Sequence, residues 1–208
     1  MTTPHFSRGP PPPFNLTYTP ILEPYHKSAR QWLTDNDKHY DGLATSALVF
    51  DAEGRILLIQ RAAHDSMPNR WEPPGGAVDA SDATLLDGAA RELWEETGLL
   101  AEGCVRLVTE GAGRGPGAVF TNRTGAKILY RFTFEVVVAG WEGVSVDPNE
   151  HQDFVWASEE EVRAGKVGER EIPLTNRQIR TLLLEGFRLK KGGAAAGEGQ
   201  NGTTPTEG

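Results

Sequence analysis

Residues 71–99 read WEPPGGAVDASDATLLDGAARELWEETGL, and this stretch decides how the rest of the chain is interpreted. Two prolines stiffen its start, and the two glycines that follow allow another segment to approach the backbone closely. From about Thr84 to Thr97 the pattern predicts an amphipathic helix with one apolar and one acidic face. The apolar face consists of Leu86, Ala89, Ala90, Leu93 and Trp94, with Leu85 at its edge.

The acidic face of this helix carries Glu92, Glu95 and Glu96, which are spaced i, i+3, i+4. Like charges at this spacing destabilise a helix by roughly 0.2–0.5 kcal/mol per pair. A hard divalent cation that takes oxygen ligands reverses the sign of that interaction. The face therefore predicts a metal site, although an acidic helix face taken alone is more often simply solvated.

Together with the loop before it, the helix resembles a known motif. Gly76 and the run 91–99, RELWEETGL, resemble the Nudix box, G-x5-E-x7-R-E-U-x-E-E-x-G-U, in which U is aliphatic. The second half matches at every fixed position. The first half departs twice, because Asp82 stands in place of the first Glu and eight residues instead of seven separate it from Arg91. The sequence assigns no role to Asp82 or to the inserted residue.

Resemblance to the Nudix hydrolase family implies an α/β fold in which a mixed β-sheet is sandwiched between helices, in an α/β/α arrangement. It also implies a divalent-metal-dependent pyrophosphohydrolase that cleaves a nucleoside diphosphate linked to another moiety. Substrates of that class are non-standard or damaged nucleoside triphosphates, nucleotide sugars, ADP-ribose and dinucleoside polyphosphates. The implied cofactor is Mg²⁺, with Mn²⁺ as a substitute.

The resemblance further assigns roles to side chains of the helix. Glu95 and Glu96 are expected to bind the ion directly, and Glu92 to act as general base or as a further ligand. Arg91 is expected to orient Glu95, which lies one turn later. The predicted catalytic residues are Arg91, Glu92, Glu95 and Glu96, and the predicted metal ligands are the Gly76 carbonyl, Glu92, Glu95, Glu96 and Glu150.

Glu150 is the predicted ligand from outside the box. It lies a few residues before a predicted strand that ends at Trp156, where Nudix proteins often supply a ligand or base. Asp153 is the second choice for this role. His151 is interpreted as a polar loop residue, because Mg²⁺ prefers oxygen ligands.

Substrate contacts are predicted mainly in the glycine-rich loop 110–127, since long loops within compact domains are usually functional or mobile. Arg114 and Arg123 are expected to contact phosphates, and Phe120 and Trp156 to stack on a base. The alternatives are that the arginines are solvated and that the aromatic rings pack in the core.

The chain divides into four predicted segments. They are a disordered proline-rich arm at 1–13, an extension packed on the domain at 14–42, the Nudix domain at 43–190, and a disordered glycine- and alanine-rich tail at 191–208. Within the domain, LATSALVF at 43–50 and RILLIQR at 55–61 predict a β-hairpin. The run 175–191 predicts a closing amphipathic helix, and Ser158 an N-cap of a short one.

Composition excludes several classes of partner. A net charge of −8 argues against general binding to nucleic acid, and no apolar run approaches the ~18 residues of a membrane span. Cys104 is the single cysteine, which excludes an internal disulfide and suits a reducing compartment. We therefore expect a cytoplasmic protein, with a nuclear location also open, that acts on a nucleotide-type small molecule as a monomer or homodimer.

Two alternatives to a hydrolase remain open from the sequence. The Asp82 substitution and the inserted residue favour a non-catalytic Nudix module that binds a nucleotide or a protein, whereas the retained Arg91 and glutamates oppose it. Isopentenyl diphosphate isomerase chemistry, found in some Nudix relatives, needs a catalytic cysteine. Cys104 lies in a predicted strand and does not suit that role.

Overall fold

The structure is a computed structural model that describes residues 8–122 and 124–198, with side chains described as far as residue 193. The helices are α1 Ala29–Asp35, α2 Leu85–Thr97, α3 Glu159–Ala164 and α4 Arg177–Glu198, with a 3-10 helix at Pro20–Tyr25. The strands are β1 Thr17–Tyr18, β2 Gly42–Val49, β3 Ile56–Arg61, β4 Trp71–Glu72, β5 Ala101–Val108, β6 Ala118–Thr121, β7 Ile128–Val138, β8 His151–Ala157, β9 Lys166–Val167 and β10 Arg170–Glu171.

The strands form two main sheets with helices on both sides. One sheet is mixed, with the order β1-β5-β7-β2 and with β6 added to β7. In it β2 runs parallel to β7, whereas β5 and β6 run antiparallel to β7. The other sheet is antiparallel, with the order β4-β3-β8. The predicted α/β fold with a mixed sheet between helices is therefore confirmed.

Strand β2 shows how the sheet serves two hydrophobic cores. Ala47 and Val49 belong to the core that contains α2, whereas Leu48 and Phe50 belong to the core that contains α4. Because successive side chains of a strand point to opposite faces, a strand buried on both sides reads as a continuous apolar run. This explains why residues 43–50 show no alternation of apolar and polar residues.

The predicted hairpin of β2 and β3 is wrong. Only an isolated bridge between Phe50 and Ile56 joins the two segments, and β3 pairs instead with β4 and β8. The Asp51 carboxylate holds the turn by accepting hydrogen bonds from Arg55 N and Nε, both 2.7 Å long. After this turn the strands enter different sheets. The local sequence predicts that a β-strand forms here. The strand with which it pairs depends on contacts between segments that are far apart in the sequence.

The loop predicted at 110–127 contains a strand that the sequence did not reveal. Residues Ala118–Thr121 form β6, which pairs antiparallel with β7, so Phe120 faces Leu129 across the ladder. A four-residue strand between glycines carries too little pattern to be predicted. Its pairing gives Phe120 a fixed place at the edge of the sheet.

Helix α4 continues through residues for which a disordered tail was predicted. It reaches Glu198, seven residues beyond the predicted end at Lys191. Gly192 and Gly193 oppose a helix, but the three alanines that follow have the highest helix propensity. Extending an existing helix also costs far less than nucleating one. Residues 199–208 lie outside the described part of the chain.

The N-terminal segments lie against the domain. Leu22 and Trp32 are buried in the α2 core, and β1 pairs with β5. Of the predicted arm 1–13, residues 1–7 lie outside the described residues. The Arg8 guanidinium donates a 3.4 Å hydrogen bond to the Glu95 carbonyl, and the Gly9 carbonyl accepts a 3.2 Å bond from Trp94 Nε1. The described part of the arm therefore contacts the C-terminal end of α2.

A membrane-spanning segment is absent from the described residues, since none of their helices is both long and apolar enough to cross a bilayer. Cys104 is a free, buried cysteine on β5, and burial raises the pKa of its thiol to about 12. A thiol with so high a pKa is a poor nucleophile, which agrees with the expectation that Cys104 does not suit a catalytic role.

Candidate active site

The helix at the centre of the site has the predicted boundaries. The Thr84 side chain caps its start by accepting a 3.0 Å hydrogen bond from Asp87 N. Gly98 ends it at φ 72°, a left-handed conformation that glycine adopts without steric cost. The predicted apolar face packs into the core of the five-stranded sheet except for Trp94, whose indole contacts Gly9 instead. This packing holds the opposite face against the glycine loop.

The glycine loop packs directly against carboxylates of α2. Gly75 N donates a 2.6 Å hydrogen bond to Glu96, and a Cβ on Gly75 would overlap the Thr45 carbonyl. At Gly76 a Cβ would lie 2.6 Å from the Glu92 carboxylate. The Gly76 carbonyl accepts a 2.9 Å hydrogen bond from Thr45 N, which ties the loop to β2. Position 75 therefore requires glycine, whereas a Cβ at position 76 would displace the Glu92 carboxylate.

Asp82 has a structural role that the sequence left unassigned. Its two carboxylate oxygens accept hydrogen bonds from Arg91 Nε and Nη2 at 2.9 and 3.0 Å. It also accepts a 2.7 Å bond from Asp79 N, which closes the turn between residues 79 and 82. A paired, bidentate contact with arginine needs a carboxylate rather than a particular chain length. The acidic character of position 82 was the available signal.

Arg91 connects the loop to the acidic face of α2. Its Nη1 donates to Glu92 at 2.9 Å and to Glu95 at 2.8 Å, and Nη2 donates to the Ala77 carbonyl at 2.7 Å. Burial works to lower the pKa of Arg91, but the neighbouring carboxylates outweigh it and raise that pKa. The expected contact between Arg91 and Glu95 is present.

The three glutamates of the acidic face lie in different environments. Glu96 is 5% exposed and Glu92 is mostly buried, whereas the Glu95 side chain is 45% exposed. Glu92 and Glu96 line a cavity of about 320 Å³, and Glu95 does not. The helical period placed the three on one arc, but the loop and β8 cover only part of it.

This acidic cavity is completed by the start of β8. The residues that line it include Gly76, Glu92, Glu96, Glu150 and His151. Glu96, Glu150 and His151 each offer one ligand atom, and these atoms lie within 4.8 Å of one another. The structure thus brings the predicted ligands Gly76, Glu92, Glu96 and Glu150 together, without bringing Glu95 into the cavity.

His151 differs from its interpretation as a polar loop residue. It is the first residue of β8, is only 2% exposed, and its Nε2 lies 3.8 Å from Glu96 Oε1. Neither ring nitrogen has a hydrogen-bond partner among the described residues. Burial lowers the pKa of His151 to about 4, so the ring is neutral at neutral pH and has a lone pair available.

Burial disfavours the charged forms of the carboxylates that line the cavity. Burial raises the pKa of Glu92 to about 7, with a further contribution from Glu95 and Glu150 against the opposing effect of Arg91. Burial and the nearby Glu92 raise the pKa of Glu96 well above its usual value, and burial raises that of Glu150. A bound divalent cation favours the charged form of each carboxylate, and a donor set dominated by carboxylate oxygens suits Mg²⁺ or Mn²⁺.

A second cavity, of about 350 Å³, adjoins the acidic one. Its wall is formed by residues of β4, β6, β7 and the start of α4. Arg61, Phe120 and Arg131 line both cavities, so they mark the junction between them. Phe120 is therefore a predicted substrate residue that the structure places at the site.

The other predicted substrate residues lie elsewhere. Trp156 is partly buried against the α2 core and lines neither cavity, because alternate residues of β8 point to that core. Arg114 is exposed in the loop before β6 and also lines neither cavity. Arg123 lies outside the described residues. A wider cleft of about 850 Å³ beside α1 contains none of the predicted site residues, so size alone does not locate the site.

Sequence reasoning missed Arg61, Glu72 and Arg131. Arg61 forms salt bridges with Glu72 and with Asp65, the latter at 2.6 Å. These residues belong to no motif, since each is an isolated charge at a strand. The available signal was a charged residue inside an otherwise apolar strand, RILLIQR or ILYRFTF, because an unpaired charge is rarely buried without a purpose.

Comparison with known proteins agrees with this geometry. The family description "NUDIX domain" matches residues 41–178. The chain is 45% identical over 58 residues to the human m7GpppN-mRNA hydrolase NUDT17, a match that covers 27% of this chain and 17% of that protein. It is 43% identical over 58 residues to the phosphatase NudJ of Escherichia coli K12, covering 28% of this chain and 36% of that protein.

Among solved structures, a Caenorhabditis elegans Ap4A hydrolase in a binary complex superposes with a TM-score of 0.54 at 19% identity. The superposition covers 73% of this chain and 98% of that one, and at this identity it shows a shared fold. The two sequence relatives are matched over well under half of their lengths. Because the family profile spans most of the chain and the loop–helix geometry is present, this chain belongs to the NUDIX domain family.

Proposed function

We propose that the protein is a divalent-metal-dependent pyrophosphohydrolase that cleaves a nucleoside diphosphate linked to another moiety. The observation that carries this proposal is the convergence of Glu92, Glu96 and Glu150 on one cavity beside the Gly76 carbonyl. Non-standard or damaged nucleoside triphosphates are the substrates to test first. Nucleotide sugars, ADP-ribose and dinucleoside polyphosphates follow.

Glu96 and Glu150 are the ligands that the geometry favours for Mg²⁺ or Mn²⁺, with Glu92 and the Gly76 carbonyl beside them. His151 supplies one nitrogen next to Glu96. One lone pair of the Gly76 oxygen accepts from Thr45 N, which leaves the second for an ion. When bound, the ion neutralises phosphate charge and favours ionisation of a water molecule. The role of Glu95 as a direct ligand stays a prediction, since its side chain is bound to Arg91 outside the cavity.

The chain's own residues supply orientation and proton transfer. Arg91 holds Glu92 and Glu95 relative to the loop, and the Glu96 carboxylate is anchored by Gly75 N. A carboxylate beside the attacking water accepts its proton. Glu92 and Glu150 both line the cavity and are the candidates for this role. The identity of the base is not assigned between these two.

The test is release of phosphate or nucleoside monophosphate from a panel of pyrophosphate compounds with Mg²⁺, with Mn²⁺ and with EDTA. We expect metal-dependent turnover of at least one member of the panel. Glu96→Gln should lower kcat/KM about 1,000-fold, equivalent to about 4 kcal/mol, because it removes a buried ligand. The matched control is Glu160→Gln on α3, which should retain turnover. Full turnover in Glu96→Gln, with circular dichroism unchanged, would contradict the proposal.

The second candidate is a non-catalytic module that binds a nucleotide or protein partner. Its sequence support came from Asp82 and the inserted residue, and the contact between Asp82 and Arg91 accommodates both. Binding of nucleotides without hydrolysis of any panel member would favour this candidate. The cytoplasmic location, the segment boundaries and the choice between monomer and homodimer stay predictions.

A further inference from the structure

Arg131 occupies an unusual position in the five-stranded sheet. Its neighbours on β7, Tyr130 and Phe132, are buried in the α2 core, so the Arg131 side chain points to the opposite face. There it lines both the acidic cavity and the second cavity. The fold has therefore placed a permanent positive charge at the junction of the two cavities.

The charge of Arg131 has no direct counterion among the described residues. Its Nε is buried without a hydrogen-bond partner, and no carboxylate of residues 8–122 and 124–193 forms a salt bridge with it. Glu72 and Glu96 attract it only at longer range, while the Phe120 ring lies over the guanidinium at 4.4 Å. Burial of an unpaired charge is expensive, and a ligand that supplies the missing anion offsets this cost.

Arg61 is an ion-paired arginine at the same junction, although its Nε, like that of Arg131, has no hydrogen-bond partner. It lines both cavities as Arg131 does, but its guanidinium forms salt bridges with Asp65 and Glu72. Those carboxylates neutralise it, so it has little charge left for a ligand. The two arginines thus have different functions, although they face the same space.

The chemistry of the junction selects a phosphate. A guanidinium presents a planar fork of donors that fits phosphate oxygens bidentately. The carboxylates of the acidic cavity repel a phosphate when no cation is bound, so Arg131 is a group at this junction that attracts one. The second cavity combines apolar surface from Phe120, Ile179 and Leu182 with amides of Asn122 and Gln178, a lining suited to a nucleoside.

We propose that Arg131 binds the substrate phosphate attached to the nucleoside, with the nucleoside in the second cavity and the rest of the pyrophosphate over Glu96 and Glu150. This inference rests on the proposed function and adds to it an orientation for the substrate. It also assigns Arg131 a substrate contact that no motif in the sequence indicates. The reacting phosphate then lies between the guanidinium on one side and the carboxylates on the other.

The test measures binding without turnover. In EDTA, the affinities of AMP, GMP, CMP and UMP and of the four matching nucleosides are compared by calorimetry. At least one nucleotide should bind the wild-type protein more tightly than its nucleoside. Arg131→Met should weaken binding of that nucleotide about 10- to 100-fold, as for loss of a charge-assisted contact, and leave the nucleoside within about twofold. Arg131→Lys keeps the charge but loses the planar fork of donors. Its affinity for that nucleotide should lie between those of the wild-type protein and Arg131→Met.

Arg188→Met is the matched control, because Arg188 is exposed on α4, pairs with Glu185 at 2.7 Å and lines neither cavity. It should bind nucleotides as the wild-type protein does. Circular dichroism checks that each variant folds. If Arg131→Met does not fold, the test rests on Arg131→Lys and on the difference between nucleotide and nucleoside affinity in the wild-type protein. Two results would overturn the inference. One is that Arg131→Met binds nucleotides as tightly as the wild-type protein does, and the other is that no nucleotide binds the wild-type protein more tightly than its nucleoside.

The same variants separate this inference from the proposed hydrolysis. If no pyrophosphate compound is turned over but Arg131→Met loses nucleotide affinity, the phosphate contact holds and catalysis fails. If turnover is present, Arg131→Met should raise KM by at least tenfold. A purely structural role for Arg131 would instead lower thermal stability without discriminating nucleotide from nucleoside.

Discussion

The acidic cavity and the second cavity adjoin each other, yet their polar side chains come from different kinds of sequence. In the acidic cavity, Gly76, Glu92 and Glu96 belong to one continuous stretch, the glycine loop and α2, and the start of β8 adds Glu150 and His151. The second cavity draws on segments near residues 61–72, 118–131 and 175–182. A continuous stretch can carry a recognisable spacing, whereas side chains collected from distant segments cannot. The sequence therefore reveals the candidate metal ligands more readily than the residues that select the substrate.

The two cavities also differ in whether their charged side chains have partners. In the acidic one, Glu92 is held by Arg91 and Glu96 is held by Gly75 N. At the junction with the second cavity, Arg131 has no such partner among the described residues. The acidic cavity is thus pre-organised for a cation and the junction for an anion. A pyrophosphate with its metal ion combines both.

Among substitutions outside the proposed metal ligands, the largest effect on the acidic side should come from Asp82→Ala. It leaves the buried Arg91 fork without its bidentate partner, and we expect the free energy of unfolding to fall by roughly 3 kcal/mol. Turnover should fall as well, because Arg91 also holds Glu92 and Glu95. Urea denaturation and kcat/KM are the measurements.

Asp79→Ala is the matched control for this prediction. Asp79 belongs to the same loop, but its side chain is 62% exposed and lies 3.9 Å from Arg91. Its removal should change stability by less than about 0.5 kcal/mol. Equal effects of the two substitutions would show that Asp82 does not support the loop in the way its hydrogen bonds indicate.

A smaller effect is expected at the junction from Phe120→Leu. The ring covers the Arg131 guanidinium at 4.4 Å and lines both cavities, so its loss removes both a cation–π contact and a surface for the substrate. We expect KM to rise about tenfold with kcat within about threefold. Val119→Leu, on the same short strand and half exposed, is the control. An unchanged KM would remove Phe120 from the substrate site.

The smallest effect on catalysis should come from Trp156→Phe. The indole packs against the α2 core and lines neither cavity, so we expect KM and kcat to stay within about twofold. Loss of packing should lower the free energy of unfolding by about 1–2 kcal/mol. A KM increase comparable with that of Phe120→Leu would restore Trp156 as a substrate contact and blur the difference between the two regions.

Local patterns predicted much of the fold. Thr84 and Gly98 mark the ends of α2 through capping, and Ser158 caps α3 in a capping box with Glu161. The pairing of β3 was beyond local pattern, because its apolar side chains fit either neighbour, and the choice between β2 and β8 depends on the whole sheet. The short β6 and the last turns of α4 were missed for the related reason that their local signals are weak.

In the candidate site, too, some features could be predicted from the sequence and others could not. The helical period placed Glu92, Glu95 and Glu96 on one arc, since a period of 3.6 residues is a property of any α-helix. It could not show that Glu96 is buried while Glu95 is largely exposed, because that depends on how the loop and β8 cover the helix. His151 was misjudged for this reason, since its burial comes from contacts outside its own segment.

By itself, the sequence determined the loop–helix motif, the carboxylates that it carries and the family to which they point. Caps, helical period and glycine conformation act within a few residues, so they can be read along the chain. Only the tertiary structure decided that Asp82 pairs with Arg91, that Glu150 and His151 meet Glu96, and that Arg131 lacks a partner. Burial and pairing depend on which distant segments come together, and this is where the substrate contacts are set.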